Sequence, residues 1–215
     1  MMRNHLSLIE RTRDILGRYA IARDNEDEVI RSEIIGLLDR AKTPMQQLDN
    51  FLHDVARTVH KLFDFKEVCV GIQDSSDQMF RYKVCLGFRG GAQDVRKKIS
   101  YSSQEMTDEN LYPSTQVGKR TRFYLSENQP FKDSERESFN QPSNLGKERG
   151  SENLMVEGDY IDIFMLDHEK DIIGWLEVSN PKDGKWPDKK TIRWLELIAS
   201  IAGIVVFQRE WDGKR

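Results

Sequence analysis

The stretch IIGWLEVSN (172–180) sets one carboxylate, Glu177, in an apolar run two residues after Trp175, and DYIDIFML (159–166) sets Asp162 two residues before Phe164. A carboxylate among rings is either the polar member of an exposed sheet face or a recognition group in a pocket. Cys69 and Cys85 supply thiols that could serve as a redox pair or fill a half-buried sheet as small side chains. His53 and His60, seven apart with Arg57 between them, could ligate a metal or haem, or lie on a solvated helix face. No glycine-rich phosphate loop, Ser-His-Asp arrangement, helix-turn-helix or metal-ligand spacing accompanies them.

The elements that must position these groups change period along the chain. Residues 5–22 have helical apolar spacing at Leu6, Ile9, Leu16 and Tyr19. Asn25 and Glu28 read as a capping box for a second helix, with Val29, Ile30, Ile34, Leu37, Leu38 and Ala41 on one side. Thr43, Pro44 and Gln46 signal a third start, with Leu48, Leu52, Val55, Val59 and Leu62 facing inward to about Asp64. Alternation then predicts strands at 66–73, 79–88, 96–102, 120–126, 159–166 and 171–179, with Arg96, Lys97 and Lys98 on a solvated edge strand. A polar stretch at 127–159 is either functional or disordered. A helix from about Asp188 to Gln208 ends the reading. Short connections within strand pairs indicate an α+β fold: an antiparallel sheet flanked by N- and C-terminal helices.

Register follows from which pairing keeps apolar residues together. A turn at Glu169–Lys170 puts Phe164 opposite Trp175, Asp162 opposite Glu177, and Ile163 opposite Leu176. One face then carries Ile161, Ile163, Met165, Gly174, Leu176 and Val178. The other mixes Phe164, Leu166, Ile173 and Trp175 with Asp162 and Glu177. In the first hairpin Val68, Val70 and Ile72 pair with Leu86, Val84 and Tyr82, leaving Cys69, Gly71 and Gln73 against Cys85, Lys83 and Arg81. The aliphatic face belongs against the helices and the mixed face under the polar connections. Leaving Trp175 and Phe164 wet is costly, which favours a roofed cavity over a bare sheet face.

Charge is balanced, with 33 basic and 36 acidic residues and a net −3. That removes the electrostatic ground for nucleic-acid binding. No apolar stretch reads as a membrane span and the amino terminus lacks a secretory apolar segment, so no direct membrane insertion is expected. Two cysteines are too few for a disulfide framework, which makes the cytoplasm the expected compartment.

DIIGWLEVSNP, KWPDKKTIRWLELIASIAGIVV and FDFKEVCVGIQD resemble the penultimate strand, closing helix and opening strand of GAF domains, small regulatory modules with a PAS-like (profilin-like) antiparallel sheet. The resemblance covers roughly 45–210 and divides the chain into a helical extension, 1–43, and a sensor domain, 44–210. It implies a non-enzymatic signalling module whose small-molecule ligand lies between the sheet and the 102–157 connection. The sequence departs from the cyclic-nucleotide-binding subset at Asn180–Pro181, Trp186 and Lys190–Thr191, and it lacks the cysteine of the bilin-binding subset. No cofactor is specified. The expected ligand-binding residues are Cys69, Asp162, Phe164, Trp175 and Glu177 on the sheet, with Tyr101 and Phe123 near its rim. A free methionine sulfoxide reductase and a ligand-free dimerisation module are the alternatives. On the terminal helix Ile192, Leu195, Ala199, Ala202 and Val206 can cover the sheet, while a second stripe, Trp194, Ile198, Ile201 and Val205, needs a partner: the amino-terminal helix or, in a homodimer, a second copy.

Overall fold

The computed structural model describes residues 26–43 and 47–211. The helix expected at 5–22, the cap at Asn25 and the Pro44–Gln46 start signal lie outside the described residues. Helix α1 (Glu26–Ala41) buries Ile30, Ile34 and Leu37, a stripe at helical spacing, and leaves Val29, Ile35 and Leu38 exposed. Val29 and Leu38 were expected on the buried side. Helix α2 (Leu48–Leu62) starts after Gln47 and buries Phe51, Leu52, Val55, Ala56 and Val59.

Strand β1 (Phe65–Gln73) pairs with β2 (Phe80–Leu86), and the chain then turns into a short helix, α3 (Gly90–Arg96). Strand β3 (Ser100–Tyr101) leads into α4 (Ser103–Thr107), whose capping box joins Ser102 and Glu105. Strands β4 (Thr115–Gln116) and β5 (Thr121–Tyr124), helix α5 (Asp133–Arg136), strands β6 (Tyr160–Leu166) and β7 (Ile172–Pro181) and helix α6 (Lys189–Val206) complete the order. Asp188 caps α6 by accepting from Thr191 N–H at 2.7 Å. The seven strands form one sheet in the order β3-β2-β1-β7-β6-β5-β4, antiparallel throughout.

The expected edge strand at 96–102 is corrected. Residues 90–96 are helical and only Ser100 and Tyr101 join the sheet. Arg96 ends α3, buried rather than solvated.

The β6–β7 register is the one expected at Asp162↔Glu177, Ile163↔Leu176 and Phe164↔Trp175. A shift after Met165 pairs Leu166 with Ile172, so Ile173 joins the helix-side core and leaves the mixed face to Ile172. The β1–β2 pair matches at Val68, Cys69 and Val70, then a bulge moves Tyr82 opposite Gly71 and Phe80 opposite Gln73. One added residue inverts the alternation, which turns Tyr82 and Phe80 onto the mixed face in place of Lys83 and Arg81.

Two apolar clusters therefore lie on opposite faces. The larger joins Val68, Val70, Ile72, Ile161, Ile163, Met165, Leu176 and Val178 to α1, α2 and α6. Ile30, Ile34 and Leu37 share this core, so the described part of 1–43 packs against the domain. The smaller cluster, Cys69, Phe80, Tyr82, Cys85, Phe164 and Trp175, is the floor beneath the irregular connections. Lys189–Glu210, with the α6 residues at its core, is long and apolar enough to cross a bilayer, contrary to the sequence expectation. Its apolar character serves two-sided burial: α6 lies on the sheet, and α1 and α2 lie against α6.

The 127–159 stretch is ordered by ion pairs. Asp159 accepts from Arg149 at 2.6 and 3.0 Å and from the N–H groups of Ser126 and Val156, while Arg149 also reaches Glu127 at 2.8 Å. Buried Glu67 accepts from Asn140, Asn180 and Ser179 and so ties the connection to the paired ends of the central strands β1 and β7.

Gly71 decides where Trp175 lies. A Cβ there would sit 2.0 to 2.4 Å from three indole carbons, since Trp175 faces it across β1 and β7. Gly71→Ala is expected to lower stability by about 1–3 kcal/mol through overpacking. Gly91→Ala, with nothing within 4 Å of the added carbon, should be neutral or stabilising. Urea unfolding of the two variants checks this; equal stabilities would refute the close approach.

Candidate functional site

A cavity opens above the β6–β7 floor, lined by Trp175, Glu177, Asp162 and Tyr160 from below, Tyr82 and Tyr101 from β2 and β3, and Arg96, Tyr112, Glu135 and Phe139 from the covering connections. Its volume is about 40 Å³. A water needs roughly 10–15 Å³ of such space, so a compact group or a few waters fit, whereas a nucleotide does not without movement of the roof.

Glu177 is buried and fully engaged. Oε1 accepts from Arg96 Nη1, and Oε2 accepts from the Tyr82 hydroxyl at 2.6 Å. Arg96 is 4% exposed; its guanidinium stacks 4.4 Å from the Phe88 ring centre, 5.1 Å from Tyr82 and 5.3 Å from Phe139. Aromatic faces offset part of the cost of taking this cation out of water, and the carboxylate supplies the rest. The pair also bolts α3, in the roof, to β7, in the floor.

The roof has its own bonds. The Tyr112 hydroxyl donates to Glu135 at 2.6 Å, Glu135 accepts from Lys132 N–H, and Lys132 Nζ reaches Glu105 at 2.6 Å. The rings between floor and roof meet edge to face: Tyr82–Trp175 at 4.9 Å and 68°, Tyr101–Trp175 at 6.4 Å and 80°, Tyr101–Tyr112 at 5.9 Å and 88°. Tyr160 stacks on Tyr124 at 4.4 Å.

Asp162 is the exception. It is 6% exposed and its Oδ1 is buried with no hydrogen-bond partner. Burial, then the charge of Glu177, pushes its carboxyl well above the usual carboxylate range, and Arg96 and Arg122 offset this only in part. Arg122 lies across the strand pair from Asp162, with its guanidinium 5.2 Å over the Phe164 ring.

Of the expected residues, Tyr101, Asp162, Trp175 and Glu177 meet at the cavity. Phe164 and Cys69 belong to the floor cluster beneath it and do not line it. Phe123 is corrected: it pairs with Ile161, so the pleat turns it to the helix side, where it stacks on Trp186 at 4.8 Å. Arg122, its neighbour, takes the mixed face. Sequence reasoning missed Arg96 and Tyr82. The available signal was demand: two facing carboxylates on a covered face require a cation. The bulge that delivers Tyr82 left no comparable trace.

Cys69 and Cys85 face each other as free, buried thiols. Burial, reinforced by the hydrogen bond with Cys85, pushes the Cys69 thiol well above its usual value. Among the described residues, the His, Cys, Asp and Glu groups near enough to share a metal are Asp167, Glu169 and Asp171. They form the β6–β7 turn, where Asp167 Oδ1 accepts the N–H groups of Glu169 and Asp171. His53 and His60, both half-buried on α2, are not in that group.

A raised carboxyl pKa has a defined pH signature. The folded state holds the Asp162 proton more tightly than the unfolded chain does. Its contribution is therefore fully present below the unfolded value of about 3.9 and declines as pH rises to the folded value, by up to about 1.4 kcal/mol per pH unit. Asp162→Asn should thus match the parent near pH 4 and exceed it in stability at pH 8. Urea unfolding across that range checks the crossing; a variant less stable at pH 8 would contradict it.

No protein-family profile matches the chain, and no curated protein matches it in sequence. Solved structures do. The GAF domain of a phosphoenolpyruvate-protein phosphotransferase from Coxiella burnetii is 11% identical with a TM-score of 0.55, over 89% of this chain and 98% of that one. The GAF domain/HD domain protein from Geobacter sulfurreducens is 12% identical with a TM-score of 0.54, over 80% and 96%. The bacteriophytochrome RpBphP3 from R. palustris is 12% identical with a TM-score of 0.52, over 87% of this chain and 38% of that one. The chain has the GAF fold.

Proposed function

We propose that this GAF-fold chain is a sensory or regulatory module that binds a small ligand between the sheet and the 102–157 connection and relays occupancy through its terminal helices. The observation that carries the reading is Asp162: a buried carboxyl whose Oδ1 has no hydrogen-bond partner, in the lining of an aromatic cavity. An unsatisfied buried acceptor costs stability, about 1–3 kcal/mol or more, and such a cost is tolerated where a ligand removes it. The solved neighbours support a sensory role, since one of them is a bacteriophytochrome. The thiols support binding over thiol exchange: both are buried and neither lines the cavity. This favours the binding reading over the reductase alternative. A cytoplasmic location accords with the two free cysteines.

Relay has a short path. Trp175 and Glu177 on β7 alternate with Leu176 and Val178, which pack in the core shared with α6. Ligand entry that repositions α3 against β7 therefore biases helix packing on the far face. The second α6 stripe is covered within the chain, as Ile198, Ile201 and Val205 are buried in the shared core. Among the described residues, the large apolar side chains that stay exposed on the helices are Val29, Ile35 and Leu38 on α1 and Leu197 and Ile204 on α6. We assign homodimerisation to these helices.

A metabolite mixture screened by thermal unfolding tests the reading. A ligand at a hundredfold excess over its Kd stabilises by about 2.7 kcal/mol, or roughly 5–10 °C for a domain of this size. The shift should disappear in a Trp175→Phe variant that still sediments as a dimer. Monomer at micromolar concentration would refute the dimer; absence of any shift would leave a folded scaffold.

A further inference from the structure

We propose that the cavity over β6 and β7 recognises a small organic cation, a primary amine or methylated ammonium, with Asp162 as its counter-ion and Tyr82, Tyr101, Tyr160 and Trp175 as its walls. The inference rests on the ligand-binding reading above and adds the charge class of the ligand.

Charge accounting carries it. Glu177 is committed to Arg96 and Tyr82, Glu135 to Tyr112 and Lys132 N–H, and Glu105 to Lys132 Nζ and Ser102 N–H. Asp162 alone among these cavity carboxylates has a buried oxygen without a partner. Arg122 does not serve, since its guanidinium is turned over Phe164. An anionic ligand would have to compete with Glu177 for Arg96 and would hold the proton on Asp162, whereas a cation favours release of that proton and pairs with the carboxylate. Arg96 keeps one donor, Nε, without a partner, but its charge is already matched.

The walls point the same way. Tyr82, Tyr101, Tyr160 and Trp175 all line the cavity, and aromatic faces carry a negative potential that attracts cations, as Arg96 over the Tyr82 ring at 5.1 Å illustrates. A cation leaving water for such a cavity loses its hydration and regains it from ring faces and one carboxylate. A neutral isostere gains only the apolar contact. The small volume selects a compact head group, with any longer substituent requiring the roof to lift.

The test uses the whole chain with methylammonium, trimethylammonium, tetramethylammonium and choline chlorides. Matched sodium chloride, sodium acetate and tert-butanol are the controls, and melting temperature and calorimetric affinity are the readouts. At least one ammonium should give a saturable upward shift that the controls do not. Asp162→Asn should weaken its affinity by about 10- to 100-fold, the loss of the counter-ion and, for methylammonium and trimethylammonium, of its charge-assisted hydrogen bond. Tyr160→Leu, which keeps the carboxylate and removes a wall, should weaken the affinity of tetramethylammonium about fivefold or more. An ammonium shift unchanged in Asp162→Asn would overturn the inference. So would binding of acetate or of neutral metabolites in place of every ammonium, though the ligand-binding reading would survive. If neither the ammonium series nor the metabolite mixture shifts the parent, both fall.

Discussion

A guanidinium held out of water against a carboxylate is the constraint on which this cavity depends. Arg96 arrives on a short roof helix and Glu177 on a central strand; neither could be buried alone at tolerable cost. Together, and enclosed by Phe88, Tyr82 and Phe139, they fix how far the roof stands from the floor. The cavity is what remains when that distance is set. A buried ion pair is a poor source of net stability compared with apolar side chains, so its presence here reads as geometry bought with stability.

The same arrangement isolates Asp162. Glu177 faces it across the strand pair, Arg96 is taken by Glu177, and Arg122 is turned over the Phe164 ring. The buried Oδ1 of Asp162 is left without a hydrogen-bond partner. The site is electrostatically unfinished in a way that a ligand can finish, and its neighbours on β7 touch the core shared with the terminal helix. The proposed sensing and relay would thus draw on one sheet whose two faces differ, one aromatic and polar, the other packed on the helices.

Much of this was legible in the sequence because alternation is a strong signal where both faces are covered. The pairings of Asp162 with Glu177 and Phe164 with Trp175 come from keeping Ile161, Ile163 and Leu176 together. What failed did so for physical reasons. A one-residue bulge at Gly71 inverts Tyr82 and Phe80 without changing composition. Phe123 sits in a strand whose register is set by a partner some forty residues on, so its face cannot be read locally. Arg96 looked like a solvated edge because RKK is polar; only the unmatched carboxylates called for it. The second α6 stripe found its partner in α1 and α2 within the chain.

A double-mutant cycle on Arg96→Met and Glu177→Gln, measured by urea unfolding at pH 7, bears most directly on this account. Each single change is expected to cost about 3–5 kcal/mol, the scale for breaking a buried pair. The double variant should recover at least about 2 kcal/mol of the summed loss, as coupled neighbours do. Additivity within about 0.5 kcal/mol would mean that the two groups do not hold each other, and the roof would have to be fixed by something else.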